Sequence, residues 1–78
     1  MVEFEVIQRA IIKVLGVYKD EVKLETDFSA DLCADSLDLY QVLMIVEEEL
    51  DFEIDADQLK NIQTVSDAVT YVKNNKRG

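Results

Sequence analysis

Ser36 is the residue whose surroundings best suit it to chemistry. It lies in the segment DLCADSLDL at positions 31–39, directly before the most apolar run of the chain. If the Asp35 side chain caps a helix there, Ser36 is the first helical residue and its hydroxyl lies at the positive end of the helix. A phosphate ester on that hydroxyl would face free backbone N–H groups, so the position suits a permanent anionic modification. A serine that merely favours a helix start explains the position as well.

The residue composition limits the other catalytic chemistry that the chain could perform. The chain contains no His, so a Ser-His-Asp triad, a Cys-His pair and a histidine metal site are impossible. Cys33 is the only cysteine, which excludes an internal disulfide. Its neighbours Asp31 and Asp35 disfavour a reactive thiolate, so we expect Cys33 to be a small packing residue. The residue types therefore point away from an enzyme.

The acidic run after the central apolar segment invites comparison with a calcium-binding loop. Carboxylates stand at alternating positions, at Asp51, Glu53, Asp55 and Asp57. The sixth position of the loop is Ala56, where a sharp turn requires Gly, and the twelfth is Ile62, where a bidentate Glu belongs. We therefore expect no dedicated metal site, and only weak surface binding of divalent cations is left open.

The negative charge is concentrated in the middle of the chain. The net charge is −9, and residues 28–57 hold ten acids and no base. Such a block repels nucleic acid and anionic lipid, so we expect the partner surface to be basic protein. A merely solvated acidic face is the alternative. The net charge also favours a monomer.

Length and composition limit the architecture to one small domain, residues 1–78. A chain of 78 residues that is 49% hydrophobic can build one compact core. No Pro and only two Gly favour helices joined by ordered loops, which predicts an all-α fold. The first fifteen residues are too charged for a signal peptide, and no apolar run is long enough to cross a membrane. We therefore expect a cytoplasmic protein that does not insert into membranes.

Hydrophobic periodicity predicts three main helices. The first covers Glu3–Leu15 and is ended by Gly16, and the second covers Ser36–Leu50. The third begins after Thr64, which Asp67 complements as a capping box, and its tail from Lys73 is expected to fray. Ala56–Asn61 predicts a short fourth helix. The long loop between the first two helices must either be pinned by buried anchors or serve a function, and the candidate anchors are Val17, Val22, Leu24, Phe28 and Leu32.

The second helix has two distinct faces when residues are placed at about 100° intervals. One face is apolar and predicted to lie in the core: Leu39, Val42, Leu43, Val46 and Leu50. The opposite face mixes apolar groups with acids: Leu37, Gln41, Met44 and Glu48, flanked by Tyr40 and Glu47.

The segment FSADLCADSLDLYQVLMIVEEELDFEIDADQLKNIQTVSDA, residues 28–68, resembles the acyl carrier protein family. Asp35-Ser36-Leu37 matches that family's attachment motif, in which the serine receives a 4′-phosphopantetheine arm from coenzyme A. The surrounding match includes Phe28, Asp31-Leu32, Asp38, Glu47-Glu48-Glu49 and Thr64-Val65, and with Leu15-Gly16-Val17 it covers nearly the whole chain. The chain departs from the pattern at three positions: Cys33 replaces the usual Gly, Gln41 a common acid and Asp55 the usual Pro. If the backbone at position 33 needs positive φ, the loop must bear strain there.

The resemblance implies a small antiparallel bundle of three main helices and one short helix, with Ser36 at the start of the second. It implies a carrier of acyl thioesters that serves the enzymes of fatty acid biosynthesis, is modified by a phosphopantetheinyl transferase and is not itself an enzyme. Service to polyketide, peptide or D-alanyl transfer is the alternative within the class. An acidic protein-binding module without a prosthetic group is the alternative outside it.

Two further sets of residues acquire expected roles from the resemblance. The first would present a mixed apolar and acidic face to basic docking patches on partner enzymes: Leu37, Asp38, Gln41, Met44, Glu47 and Glu48. The second would part between the long helix and the short one to shelter an acyl chain: Val46, Leu50, Ile54, Leu59, Ile62 and Ala68. An ordinary closed core is the alternative to the second role.

Overall fold

The computed structural model describes residues 2–76, and these form a helical bundle. Three long helices, α1 (Val2–Leu15), α2 (Ser36–Leu50) and α3 (Val65–Asn75), are accompanied by short 3₁₀ helices at Lys19–Glu21 and Ala56–Asn61. Helix α1 packs against both α2 and α3, and the second 3₁₀ helix packs against α2. Within residues 2–76, extended pairing is limited to two isolated bridges. The predicted all-α fold of three long helices and a short one is confirmed.

Helix α1 packs against the rest of the bundle through a continuous buried face. Ile7 and Ile11 are completely buried, and Val6 and Ala10 join them in the core. Gly16 ends the helix in a left-handed conformation, with φ of 69°, and its N–H donates to the carbonyl oxygen of Ile12. These contacts anchor one side of the bundle.

The long loop between α1 and α2 is pinned at both ends of its path. Its predicted anchors Val22, Phe28 and Leu32 are buried, while Val17 and Leu24 are half-buried against the core. Buried Gln8 of α1 was not predicted, and its side-chain nitrogen donates to the carbonyl oxygen of Val22 at 3.0 Å. This amide satisfies a backbone acceptor that the loop would otherwise bury unpaired.

The later part of the same loop is fixed to the segment that precedes α3. The Phe28 N–H donates to the Gln63 carbonyl, and the Val65 N–H donates to the Thr26 carbonyl, both at 2.9 Å. Backbone hydrogen bonds between segments so distant in sequence bring residues near 28 and 63 together beside the start of α2.

The end of α3 is more ordered than its composition predicts. The expected fraying from Lys73 is wrong for residues up to 76, because α3 continues to Asn75 and Lys76 forms a bridge with Phe52. The Phe52 ring is completely buried, and the Lys76 amine also pairs with the carboxylate of Glu3. The last two residues of the predicted tail, 77 and 78, lie outside the described part.

Among the helices of residues 2–76, none combines the length and the apolar character that a membrane crossing requires.

Candidate functional site

The start of α2 is fixed by a reciprocal capping box. An Oδ1 atom of Asp35 accepts a hydrogen bond from the Asp38 N–H at 2.9 Å, and Oδ2 of Asp38 accepts one from the Asp35 N–H at 3.3 Å. Asp35 itself is extended, which confirms it as the predicted cap. Ser36 is therefore the first residue of α2, and its side chain is exposed.

The approach to this helix passes through a left-handed residue. Cys33 has φ of 54°, and the turn is closed by hydrogen bonds from its N–H to the Ser29 carbonyl and from the Ala34 N–H to the Phe28 carbonyl. An L-residue bears strain in this conformation. The expectation of a packing role is wrong, because Cys33 is exposed and the loop is anchored by Phe28 and Leu32.

A groove with a volume of about 270 Å³ runs beside Ser36, and we call it the Ser36 groove. Its apolar lining is Phe28, Ala34, Leu39, Leu59 and Ile62, and its polar lining is Asp27, Ser29, Asp35, Ser36, Lys60 and Gln63. The groove therefore joins the exposed hydroxyl at one rim to aliphatic and aromatic side chains contributed by α2, the loop before it and the second 3₁₀ helix.

The residues predicted to shelter a chain divide into two groups. Leu59 and Ile62 line the Ser36 groove. Val46 and Ala68 are completely buried in the core, and Leu50 and Ile54 are half-buried against it. The structure thus brings two of the six to the groove, and the other four are not among the residues that line it.

Seven groove residues were not assigned to a site from the sequence: Asp27, Phe28, Ser29, Ala34, Leu39, Lys60 and Gln63. Phe28 and Leu39 were predicted only as buried anchors, because periodicity reports burial and not what opens beside it. Lys60 and Gln63 lie outside any periodic pattern. The one available signal was that Lys60 is the first base after the run of ten acids.

Two carboxylates support the groove from the side of α3. Asp27 accepts hydrogen bonds from the Ala30 N–H and from the Gln63 side chain, which lower the pKa of its carboxyl group. Hydrogen bonds from the backbone N–H groups of Thr64 and Gln63 likewise lower the pKa of Asp67. Gln63 therefore links the two carboxylates and fixes one wall of the groove.

The outward face of α2 carries the residues predicted to contact partners. Leu37 and Met44 are large apolar side chains that remain 63% and 45% exposed, and Gln41 and Glu48 are exposed beside them. Asp38 and Glu47 are half-buried, Asp38 because it completes the capping box. Together with Val14 and Ile45, three of these residues line a shallow depression: Gln41, Met44 and Glu48.

The acidic run after α2 contains the end of that helix and the cap of the next one. Asp51 adopts φ of 49° at the end of α2, and Asp55 caps the second 3₁₀ helix by accepting from the Asp57 N–H at 3.0 Å. Across residues 2–76, no cluster of three or more acidic, Cys or His side chains is arranged to hold a metal ion.

Comparison with known proteins gives consistent matches. The family described as "Phosphopantetheine attachment site" matches residues 5–72. The chain is 47% identical to the acyl carrier protein of Lactococcus lactis subsp. cremoris (strain MG1363) over 76 residues, which are 97% of this chain and 100% of that protein. It is 49% identical to the acyl carrier protein of Nitratidesulfovibrio vulgaris (strain DSM 19637 / Miyazaki F) over 70 residues, or 90% and 92% of the two chains.

Proposed function

Because the chain belongs to the acyl carrier protein family, whose members carry a covalent 4′-phosphopantetheine, we propose that Ser36 is the attachment point in this protein. The observation that supports this assignment is the capped helix start, which exposes the Ser36 hydroxyl at the rim of an apolar groove. The same capping box gives Asp35 and Leu37 their place on either side of the attachment residue.

The residues around Ser36 fit a phosphodiester. The N–H groups of Ser36 and Leu37 belong to the first turn of α2, where no earlier carbonyl of the helix can accept them. The positive end of the helix dipole favours an anion there. Once bound, the prosthetic group supplies a thiol on which acyl groups are held as thioesters. The chain itself fixes the anchor and leaves it accessible to a phosphopantetheinyl transferase.

The groove gives the proposed carrier a place to shelter part of an acyl chain. Leu59 and Ile62 belong to its apolar lining, and completely buried Val46 and Ala68 belong to the same hydrophobic core as these two residues. A loaded chain would enter beside Ser36 and displace the second 3₁₀ helix from α2, since those two elements form the two sides of the groove. Burial of the chain would drive this opening.

The outward face of α2 is the proposed docking surface for partner enzymes. Exposed Leu37 and Met44 supply apolar contact, and Glu48 with half-buried Glu47 supplies negative charge. Acids on this face would attract Arg- and Lys-lined patches and raise the rate of encounter more than the final affinity. Fast release suits a protein that must shuttle between successive enzymes.

We assign the carrier to fatty acid biosynthesis in the cytoplasm, with the dense acidic block of residues 28–57 as the supporting feature. Reconstitution tests this assignment. The modified protein is supplied to purified enzymes of bacterial fatty acid synthesis, and to a peptide-synthetase loading enzyme and a D-alanyl ligase in parallel. Elongation and reduction of the acyl chain in the first reaction are expected. Loading by either of the other two enzymes alone would contradict the assignment.

The sheltering role is tested on the loaded protein. Backbone amide shifts are compared between the unloaded and octanoyl-loaded forms. We expect the amides of Leu59, Ile62 and Ala68 to move, and that of Lys13, which does not line the groove, to stay in place. Identical shifts at the three groove and core positions would show that the core stays closed.

A further inference from the structure

Lys60 is the only basic side chain among the residues that line the Ser36 groove. It is exposed on the second 3₁₀ helix, between buried Leu59 and Ile62 near the end of that helix. Arg9 and Lys76 form ion pairs with Glu49 and Glu3, but the Lys60 side chain makes no ion pair or hydrogen bond with another residue of 2–76. It is a cation without an assigned partner.

The other charges on the groove are negative. Asp27 and Asp35 line it, and both carboxylates already accept hydrogen bonds. Asp27 accepts from the Gln63 side chain and the Ala30 N–H, and Asp35 accepts from the Asp38 N–H. A phosphodiester on Ser36 would add a third negative charge at the same rim. A groove of about 270 Å³ has dimensions of the order of the Debye length, about 8 Å at physiological ionic strength, so charges across it are only partly screened.

We propose that Lys60 pairs across the groove with the phosphodiester on Ser36 and so connects the second 3₁₀ helix to the start of α2. This inference rests on the proposed attachment at Ser36. Lys60 is a positioning residue: its ammonium group takes no part in acyl chemistry and acts by drawing the phosphodiester toward the groove. The two walls of the groove would then be held together more firmly in the modified protein than in the unmodified one.

A consequence concerns the path of the prosthetic arm. A phosphodiester held toward Lys60 directs the arm over Leu59 and Ile62, whereas one held only by the first turn of α2 leaves the arm free to point into solvent. Lys60 would therefore favour an arm that lies along the groove rather than in solvent, without contacting the acyl chain.

The test compares modified and unmodified forms of the wild type, Lys60→Gln, Lys60→Arg and a control, Lys13→Gln. Lys13 is also exposed, and it lies outside the groove, so its replacement removes the same charge elsewhere. Mass spectrometry first establishes that each variant carries one arm. Phosphorus NMR of the phosphodiester and hydrogen exchange of the Ile62 N–H, which donates to the Leu59 carbonyl at 3.0 Å, are then measured.

On modification, we expect protection of the Ile62 amide to rise about two- to fivefold in the wild type, as for an exposed ion pair. The gain and the phosphorus shift should persist in Lys60→Arg and Lys13→Gln and be lost in Lys60→Gln. Provided that both proteins carry the arm, either of two results overturns the inference: an equal rise in Ile62 protection in Lys60→Gln, or no rise in the wild type. Both results leave the proposed function intact. Failure of the arm to attach to the folded wild type overturns both.

Discussion

Asp35 and Asp38 hold each other's backbone at the start of α2. Each carboxylate accepts a hydrogen bond from the other residue's N–H, at 2.9 and 3.3 Å, and Ser36 and Leu37 lie between them. The place of Ser36 as the first residue of α2 is thus fixed by residues within three positions of each other. The same two acids place negative charge on both sides of the proposed attachment residue.

Loss of this cap should destabilise the protein measurably. We expect Asp35→Ala to lower the free energy of unfolding by about 1 kcal/mol, because the Asp38 N–H loses its acceptor. Urea unfolding measures this change. Asp20→Ala is the control, because it removes an exposed acid that caps no long helix. It should change the free energy of unfolding by less than half as much as Asp35→Ala does. Equal effects of the two substitutions would mean that the box contributes little.

The left-handed conformation of Cys33 predicts a stabilising substitution. We expect Cys33→Gly to raise the free energy of unfolding by about 0.5–1 kcal/mol, because relief of the left-handed strain exceeds the added entropy of Gly in the unfolded chain. Ala30→Gly in the same loop is the control and should destabilise, since position 30 is not among the residues with positive φ. Destabilisation by Cys33→Gly would show that the loop bears no such strain.

The network of Asp27, Gln63 and Asp67 predicts a loss of stability in acid. Hydrogen bonds in the folded state lower the pKa of both carboxyl groups below their ordinary value of 3.8. A lowered folded-state pKa contributes stability that is complete above the unfolded pKa and is lost as pH falls through the folded pKa. The free energy of unfolding should therefore fall as pH drops below about 4.

The variant Asp67→Asn separates this effect from general charge repulsion. It should be less stable at neutral pH and show a shallower loss in acid, measured by urea unfolding at several pH values. Neutralising other acids of a chain with net charge −9 relieves repulsion and acts in the opposite direction. The measurements are repeated in high salt, which screens general charge repulsion. If the free energy of unfolding then falls as steeply with pH in Asp67→Asn as in the wild type, groups other than Asp67 cause the loss of stability in acid.

Charge reversal on the outward face of α2 should affect partner encounter. We expect Glu48→Lys to slow transfer reactions with a basic partner enzyme about threefold or more at low salt, and to reduce their salt dependence, because steering acts mainly on association. Steady-state rates at limiting carrier concentration measure this effect. Glu25→Lys, an exposed acid in the loop before α2, is the matched control. Unchanged rates for Glu48→Lys at low salt would remove this face from the docking surface.

Local signals predicted the elements well, and non-local contacts account for most of what was missed. The starts of α2 and α3 follow from capping residues within three positions, Asp35 with Asp38 and Thr64 with Asp67. The Ser36 groove joins residues near 28, 36 and 60 through backbone bonds between distant segments, which no periodicity reports. Lys60 lines the groove because the fold brings the second 3₁₀ helix beside Ser36, and no local sequence signal indicates this.

Two predictions, the fraying of the α3 tail and the burial of Cys33, were wrong because each depends on how the whole chain folds. The tail of α3 is held by the bridge between Lys76 and Phe52 and by the ion pair with Glu3, both of which require the finished fold. Exposed Cys33 could not be identified from its residue type, since free cysteines are usually buried. The absence of Gly at that position was visible in the sequence, and the strain it implied is present as φ of 54°.

The attachment of phosphopantetheine to Ser36 is the central claim, and intact-mass spectrometry tests it most directly. The purified protein is measured before and after incubation with coenzyme A, magnesium and a broad-specificity phosphopantetheinyl transferase, beside Ser36→Ala, Ser29→Ala and Ser66→Ala. We predict one phosphopantetheine on the wild type, Ser29→Ala and Ser66→Ala, already present or gained, and none on Ser36→Ala. A correctly folded wild type without the group, or Ser36→Ala with it, would contradict the account.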